Sequence, residues 1–196
     1  FGIGRVDKGV NYLLATRDKD EPASAEVDQY LDWWTVGRGD KVKYTPGGLA
    51  WRMEWGVLRY AVNTSWFALL WADRRPTPDR DRADRLRAFA TRQVGYALGD
   101  NPQKRSYLLG FGPNPWPVAH HRTAHGPWAG WEHFDKAKPE YLPRMRHTLY
   151  GGLLGGPDEN DRFTPDIKDA KTNEVALDYQ AALPGALARL WLTDRR

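Results

Sequence analysis

The sequence predicts an all-α fold whose long connecting loops gather on one side. Several segments repeat apolar residues at steps of three and four, the period of a helix that buries one face. No segment shows a strong strand pattern, and 196 residues with 41% apolar side chains are enough for one sizeable core. We therefore expect about five helices, arranged as hairpins whose loops build a cleft.

The first two predicted helices are short and cover residues 7–18 and 24–34. In the first, Val10 and Leu14 lie four residues apart on one face. The second begins at Ser24, whose hydroxyl group is a suitable N-cap. A turn-rich connection, GRGDKVKYTPGG, follows it.

The next two predicted helices are longer. Residues 49–73, LAWRMEWGVLRYAVNTSWFALLWAD, show a helical repeat of large apolar side chains, which predicts a buried helix with Gly56 in its interior. Residues 81–98 repeat the same pattern. Gly99 is then suited to the left-handed position that commonly follows a helix.

The segment 99–172 has little periodicity and is rich in glycine, proline, asparagine and histidine. An irregular segment of this length in a compact domain is usually functional or disordered. We expect order here, because five aromatic residues in it require burial or a ligand: Trp116, Trp128, Trp131, Phe134 and Tyr141. Helical periodicity returns over residues 173–192, with Pro184 as a kink or a break.

Composition excludes several kinds of site. The chain has no cysteine, so disulfides, zinc–thiolate sites and a cysteine nucleophile are absent. The net charge is +4 and the pI about 9.3, but the charges of residues 73–87 alternate in sign, which favours a solvated helix face over a nucleic-acid surface. No apolar run is long enough for a membrane span. Because the chain starts without Met or a leader, we expect either a removed leader or a start inside a larger protein.

Ten tryptophans are the unusual feature of the composition. Most are expected in the core, but some are candidates for an open cleft, where flat rings stack on the apolar faces of sugars. The motif HHRTAHG, residues 120–126, allows three interpretations: metal ligands, an anion or nucleic-acid site, or hydrogen-bond donors for a polar substrate. Arg122 between His121 and His125 disfavours a metal, and these two histidines are expected to brace the loop.

Two groups of acidic residues are further candidates. Glu174 and Asp178 are four residues apart and are predicted to share a helix face. A carboxylic acid shielded from water among tryptophans can donate a proton near neutral pH, whereas acidic residues also simply stabilise a helix N-terminus. The motif GGPDENDRF, with Asp158, Glu159 and Asp161, is either a calcium loop or a solvated turn, and its spacing favours the turn.

Three segments together, YTPGGLAWRMEWGVLRYAVNTSWFALLWAD, GYALGDNPQKRSYLLGFGPNPWPVAHHRTAHG and LYGGLLGGPDENDRFTPDIKDAKTNEVALDY, resemble the C-terminal half of glycoside hydrolase family nine, the endoglucanase (cellulase) family. The resemblance implies that residues 1–196 are the C-terminal part of one catalytic domain. That domain is implied to be a toroid of six helical hairpins with a cleft across one end. The resemblance also implies that the protein cleaves β-1,4-linked glucans with inversion. It further implies that the protein is secreted from the cell.

The resemblance also implies roles for individual residues. Glu174 matches the general acid, and His120 with Arg122 matches a His-x-Arg pair that binds sugar hydroxyls near the cleavage point. The predicted catalytic residues are thus Glu174 and His120, and the predicted substrate-binding residues are Arg122, Trp55, Arg59, Tyr179 and Asp7. No metal or other cofactor is expected at the site, and calcium elsewhere stays open.

The sequence departs from the family pattern at four signature positions, Ala119, Pro165, Ala170 and Gln180. These changes suggest a divergent branch, with a short oligosaccharide or an amino sugar as an alternative substrate. The aspartate pair that activates water in this family has no match here, so we expect the N-terminal half of the domain as a second polypeptide. The alternatives are a non-catalytic sugar-binding protein and a basic nucleic-acid-binding helical domain.

Overall fold

The computed structural model describes residues 6–36, 41–125, 145 and 147–193. Eight helices lie in these ranges, together with one π-helical turn, Leu14–Asp18, and a two-stranded antiparallel sheet, β1 (Lys43–Tyr44) with β2 (Ala50–Trp51). None of these helices is long and apolar enough to cross a membrane. The helices are α1 (Asp7–Leu13), α2 (Glu21–Thr35), α3 (Val57–Arg74), α4 (Arg80–Ala97), α5 (Arg122–His125), α6 (Ala170–Asn173), α7 (Leu177–Gln180) and α8 (Leu183–Thr193).

Helix α3 lies at the centre and is buried on nearly every side. One face, with Leu58 and Val62, packs against α4, α8 and the irregular segment, while the other, with Phe67 and Trp71, packs against α2. A helix that is apolar on all sides is stable only when neighbours cover all of it. The chain therefore forms two cores that share α3.

The structure corrects two predicted helix starts. Helix α2 begins after Asp20, whose side chain accepts a hydrogen bond from Ala23 N at 2.7 Å, so Ser24 is not the N-cap. Gly56 is not inside a helix, because residues 49–56 form β2 and a turn, and α3 begins only at Val57. Gly56 has φ +63°, which ends the turn rather than continuing a helix. The prediction for Gly99 is confirmed by its φ of +118° after α4.

Charged side chains pack between α2 and α4 instead of forming only a solvated face. The carboxylate of Asp32, on α2, is 2% exposed and lies 2.6 Å from Nη1 of Arg82 on α4. Arg75, after α3, pairs with Asp28 on α2 at 2.9 Å. A buried carboxylate of this kind is tolerated because it is paired and hydrogen-bonded.

Three isolated backbone bridges hold the irregular segment, two of them to residues that follow α6. Isolated bridges pair Leu108 with Leu153, Leu154 with Val175, and His120 with Glu174. Trp116 is buried against Phe163, as predicted from its need for burial. The other predicted aromatic residues of this segment, Trp128, Trp131, Phe134 and Tyr141, lie outside the described residues.

Two further predictions concern the last third of the chain. Helicity does break near Pro184, which lies in the first turn of α8, where proline removes no helical hydrogen bond. The prediction of a solvated turn at GGPDENDRF is wrong for Asp161. Its buried carboxylate accepts hydrogen bonds from Gly47 N at 2.5 Å and from the Tyr96 hydroxyl at 2.6 Å. Asp161 therefore links this turn by a hydrogen bond to the last turn of α4.

Candidate active site

The candidate site lies where the turn before α3 meets the segment that joins α6 to α7. Backbone hydrogen bonds fix this junction. Gly56 N donates to Lys171 O at 2.9 Å, and His120 N donates to Asn173 O at 2.7 Å. Because these bonds involve only backbone groups, they set the spacing of the side chains that project from the junction.

Glu174 follows α6 in an extended conformation and is half-buried. Its Oε2 accepts two hydrogen bonds, from Trp55 Nε1 at 3.2 Å and from the Tyr179 hydroxyl at 3.0 Å. The predicted helix face shared by Glu174 and Asp178 is wrong, because no helix joins them: α6 ends at Asn173 and α7 begins at Leu177. The bridge to His120 places Glu174 beside the histidine motif instead.

Tyr179 is 1% exposed and occupies the space beside Gly56. Burial raises the pKa of its hydroxyl group, and the hydrogen bond to the Glu174 carboxylate raises that pKa further. Tyr179 therefore stays protonated across the physiological range and remains a donor to Glu174.

Arg59, in the first turn of α3, is 6% exposed and lies behind Tyr179. Its Nη1 donates to Asp178 Oδ2 at 3.0 Å, its Nη2 donates to the Tyr60 hydroxyl at 2.6 Å, and its guanidinium carbon is 5.0 Å from the centre of the Tyr179 ring. Burial lowers the pKa of the guanidinium, but the hydrogen bond to Asp178 and the nearby hydroxyl groups raise it, with a net upward shift. Arg59 thus supports Tyr179 from behind, and its contact with substrate stays a prediction.

The Trp55 side chain is 41% exposed, unlike the buried Tyr179 and Arg59. Its N–H group binds Glu174, while part of the ring remains open to solvent. An indole in this position offers an apolar face for stacking next to a carboxyl group.

Of the histidines of HHRTAHG, His120 lies beside Glu174 at the candidate site, whereas His125 braces the loop. The Ile167 carbonyl lies 2.6 Å from His120 Nδ1 and can only accept, so this nitrogen carries the hydrogen of that bond. His125 is buried and donates from Nε2 to Ala119 O at 2.6 Å, which is the predicted bracing role. Burial lowers the pKa of His121, and the nearby His125 and His120 lower it further.

Two predicted site residues receive less support from geometry. Arg122 begins α5, and its side chain lies outside the described part of the structure. Asp7 begins α1, where its carboxylate lies 3.5 Å from Lys8 Nζ. Roles for Arg122 and Asp7 in substrate binding therefore stay predictions. Within the described ranges, no three histidine or acidic side chains are grouped as metal ligands.

Comparison with known proteins decides the family. The profile of Glycosyl hydrolase family 9 matches residues 7–187. The chain is 44% identical over 184 residues to Endoglucanase 4 of Bacillus sp. strain KSM-522 and 46% identical over 184 residues to Endoglucanase B of Cellulomonas fimi. The chain belongs to glycosyl hydrolase family 9. These alignments cover 91% and 93% of the chain but 28% and 17% of the two relatives, so it spans less than a third of either.

Solved family 9 structures share the fold. Endoglucanase CelQ from Clostridium thermocellum, complexed with cellobiose and cellotriose, matches 93% of the chain with a TM-score of 0.82 and 42% identity, over 29% of its own length. The cellulase Cel9M of C. cellulolyticum, in complex with cellobiose, matches 95% with a TM-score of 0.78 and 36% identity, over 39% of its length. The predicted fold class, an all-α toroid of six hairpins of which this chain is a part, is confirmed. That this part is the C-terminal half stays a prediction.

Two residues at this candidate site, Gly56 and Asn63, were not predicted for it, whereas Asp178 was a candidate from its spacing to Glu174. Gly56 contacts Tyr179, Asp178 pairs with Arg59, and Asn63 donates from Nδ2 to Asp178 O at 2.9 Å. The only sequence signal for Gly56 was its position between Trp55 and the apolar helical run that begins at Val57. At the departure Gln180, Oε1 accepts a hydrogen bond from Leu153 N at 3.0 Å, which gives this side chain a structural contact.

Proposed function

We propose that this chain is the acid-bearing part of a β-1,4-glucan hydrolase, with Glu174 as the general acid. The observation that carries the proposal is the group of Glu174, Trp55 and Tyr179. It combines a half-buried carboxyl group, fixed by two donors, with an exposed indole ring. A fixed carboxyl group can protonate a glycosidic oxygen, and the indole face can stack on the adjoining sugar.

The substrate class is proposed from the relatives. CelQ and Cel9M are described with cellobiose or cellotriose bound, and both sequence relatives are named endoglucanases. Cellobiose and cellotriose are short β-1,4-glucans. We therefore propose a cellulose-like glucan as substrate, and secretion of the protein to where such a polymer occurs.

The proposed reaction inverts the anomeric centre. Inversion requires a second carboxylate about 6.5–9.5 Å from the acid, with room for a water molecule between them. The family resemblance assigns this role to an aspartate pair in the N-terminal half of the domain. We propose that this half supplies the pair as a second polypeptide, and that two carboxyl groups and water suffice without a cofactor.

Exposed apolar side chains support such a partner. Val10 and Leu13 on α1 and Val6 just before it are exposed, as are Trp191 and Leu192 near the end of α8. Exposed large apolar side chains that lie together are typical of a face that another protein segment covers. We propose that the N-terminal half covers at least one of these two faces.

The test is Glu174→Gln in the complex of this chain with the proposed N-terminal half, measured on cellotetraose and on soluble cellulose derivatives. We expect glucan binding to persist and turnover to fall by about 10²–10⁴-fold, the usual contribution of general acid catalysis. Wild-type protein that binds glucan but releases no reducing sugar would instead identify a non-catalytic sugar-binding protein. Hydrolysis by Glu174→Gln at near wild-type rates would refute the assignment of the acid.

A further inference from the structure

Both described hydrogen bonds to the Glu174 carboxyl group end on one oxygen. Trp55 Nε1 and the Tyr179 hydroxyl lie 3.2 and 3.0 Å from Oε2. A carboxyl oxygen offers two lone pairs, so these donors fill the acceptor capacity of Oε2. The proton of the neutral acid therefore belongs on the other oxygen, Oε1.

Gly56 is what allows Tyr179 to reach Oε2. A Cβ atom at position 56 would lie 2.7 Å from both Cζ and the hydroxyl oxygen of Tyr179, closer than real Cβ contacts. Gly56 also has φ +63°, which strains any residue with a side chain. Its N–H bond to Lys171 O holds the turn, so the collision is not relieved by a simple backbone shift.

The Tyr179 ring cannot move away freely either. The Arg59 guanidinium lies against it, and Arg59 is anchored to Asp178, the residue before Tyr179. Asn63 holds the backbone carbonyl of Asp178 from α3. A side chain at position 56 would therefore displace the tyrosine hydroxyl from Glu174.

We propose that Glu174 delivers its proton from Oε1, that Trp55 and Tyr179 are positioning residues acting on Oε2, and that Gly56 is the positioning residue for Tyr179. This inference rests on the proposed function of Glu174. The Oε1–H bond breaks as the proton passes to the glycosidic oxygen. The C1–O bond then breaks, and its electron pair stays on that oxygen. Water adds to C1 and gives its proton to a carboxylate base, proposed on the N-terminal half.

The two donors on Oε2 act on the charge that develops. When the proton leaves Oε1, Glu174 becomes negative, and hydrogen bonds to a charged acceptor are stronger than those to a neutral one. Trp55 and Tyr179 therefore stabilise the transition state more than the ground state, which raises kcat rather than lowering KM.

The experiment compares Tyr179→Phe and Gly56→Ala in the complex of this chain with the proposed N-terminal half. Hydrolysis of cellotetraose is measured beside that of 2,4-dinitrophenyl β-cellotrioside, whose leaving group needs little protonation. We expect kcat on cellotetraose to fall about 10–100-fold in each variant, as for the loss of a hydrogen bond to a charged group. KM and the rate on the dinitrophenyl substrate are expected to stay within about two-fold. Trp55→Phe, which keeps a ring but loses the N–H group, is expected to show the same pattern.

Controls separate positioning from folding. Tyr150→Phe removes an exposed tyrosine hydroxyl outside the site and is expected to change neither rate. If Gly56→Ala folds poorly, the positioning inference is tested by Tyr179→Phe and Trp55→Phe alone. The melting temperature of each of these variants shows whether it is folded. Equal losses on the two substrates would overturn the positioning inference while Glu174→Gln still supports the acid. If Glu174→Gln itself keeps cellotetraose turnover, the proposed function fails instead.

Discussion

The Trp55 side chain contacts Glu174 through its indole nitrogen and keeps 41% of its surface exposed. A ring that served only the core would be covered, as Trp34 and Trp71 are. The proposed function gives this residue two roles, because the nitrogen donates to the proposed acid while the exposed ring is open for a sugar. Trp55→Phe separates these two roles, since it removes the N–H group and keeps an apolar ring.

Alanine at position 55 separates stacking from folding. Trp55→Ala is expected to weaken cello-oligosaccharide binding about ten-fold, the effect of losing roughly 1.4 kcal/mol of apolar contact. Trp55→Phe should retain most of the affinity, because an apolar ring remains. Isothermal titration with cellotetraose measures both variants. A sharp fall in Tm for Trp55→Ala with unchanged affinity would show that the ring serves packing.

Helices α3, α4 and α8 are joined by a charged cluster at their solvent edge. Asp73, in the last turn of α3, accepts a hydrogen bond from Arg189 Nη2 on α8 at 2.7 Å and one from Arg87 on α4 at 3.2 Å. The hydrogen bond from Arg189 lowers the pKa of Asp73, and Arg87 lowers it further, although burial opposes both. Asp73 therefore stabilises the fold only while its carboxyl group is ionised.

The stability of this junction is expected to depend on pH. Since the pKa of Asp73 is lower in the folded than in the unfolded chain, its contribution is present above about pH 4 and is lost as pH falls below that. Asp73→Asn should lower Tm at pH 7, and the difference from wild type should shrink toward zero in strong acid. Asp84→Asn, which removes an exposed partner of Arg87, is the matched control and should change Tm little. A constant Tm difference at all pH values would contradict the prediction.

At the scale of elements, periodicity located α2, α3 and α4 but not the turns between them. Residues 49–55 have helical spacing, yet Ala50 and Trp51 pair with β1, and the left-handed Gly56 stops helix formation. The four-residue step from Glu174 to Asp178 wrongly predicted a shared helix face. Backbone pairing with His120 keeps Glu174 extended, so no helix joins the two residues. Spacing describes local preference, whereas the bridge from His120 to Glu174 joins residues more than fifty positions apart and the β1–β2 pairing depends on a partner strand outside the predicted helix. The family resemblance named Glu174, Trp55 and Tyr179, whose side chains the structure joins by hydrogen bonds, and their roles in the reaction stay predictions.

For the molecule as a whole, the proposed N-terminal half would cover the exposed apolar side chains of α1 and α8 and supply the proposed second carboxylate. We expect the 196-residue chain alone to self-associate and to lack hydrolase activity. Co-expression with the N-terminal half should give a soluble complex that cleaves β-1,4-glucan. Light scattering and a reducing-sugar assay measure the two outcomes. A monomeric and fully active 196-residue protein would refute the requirement for that half.

Because α3 belongs to both cores, its amide hydrogens are shielded by two layers of packing at once. They can exchange with deuterated water only when both layers open, which is the global unfolding event. Amides of α1, which has no buried residue, should exchange much sooner. Since the turn that carries Trp55 and Gly56 leads directly into α3, we expect the slowest-exchanging of the described helices to be the one that holds the donors of the proposed acid. Heat should then abolish proton delivery only as the last protected amides are lost.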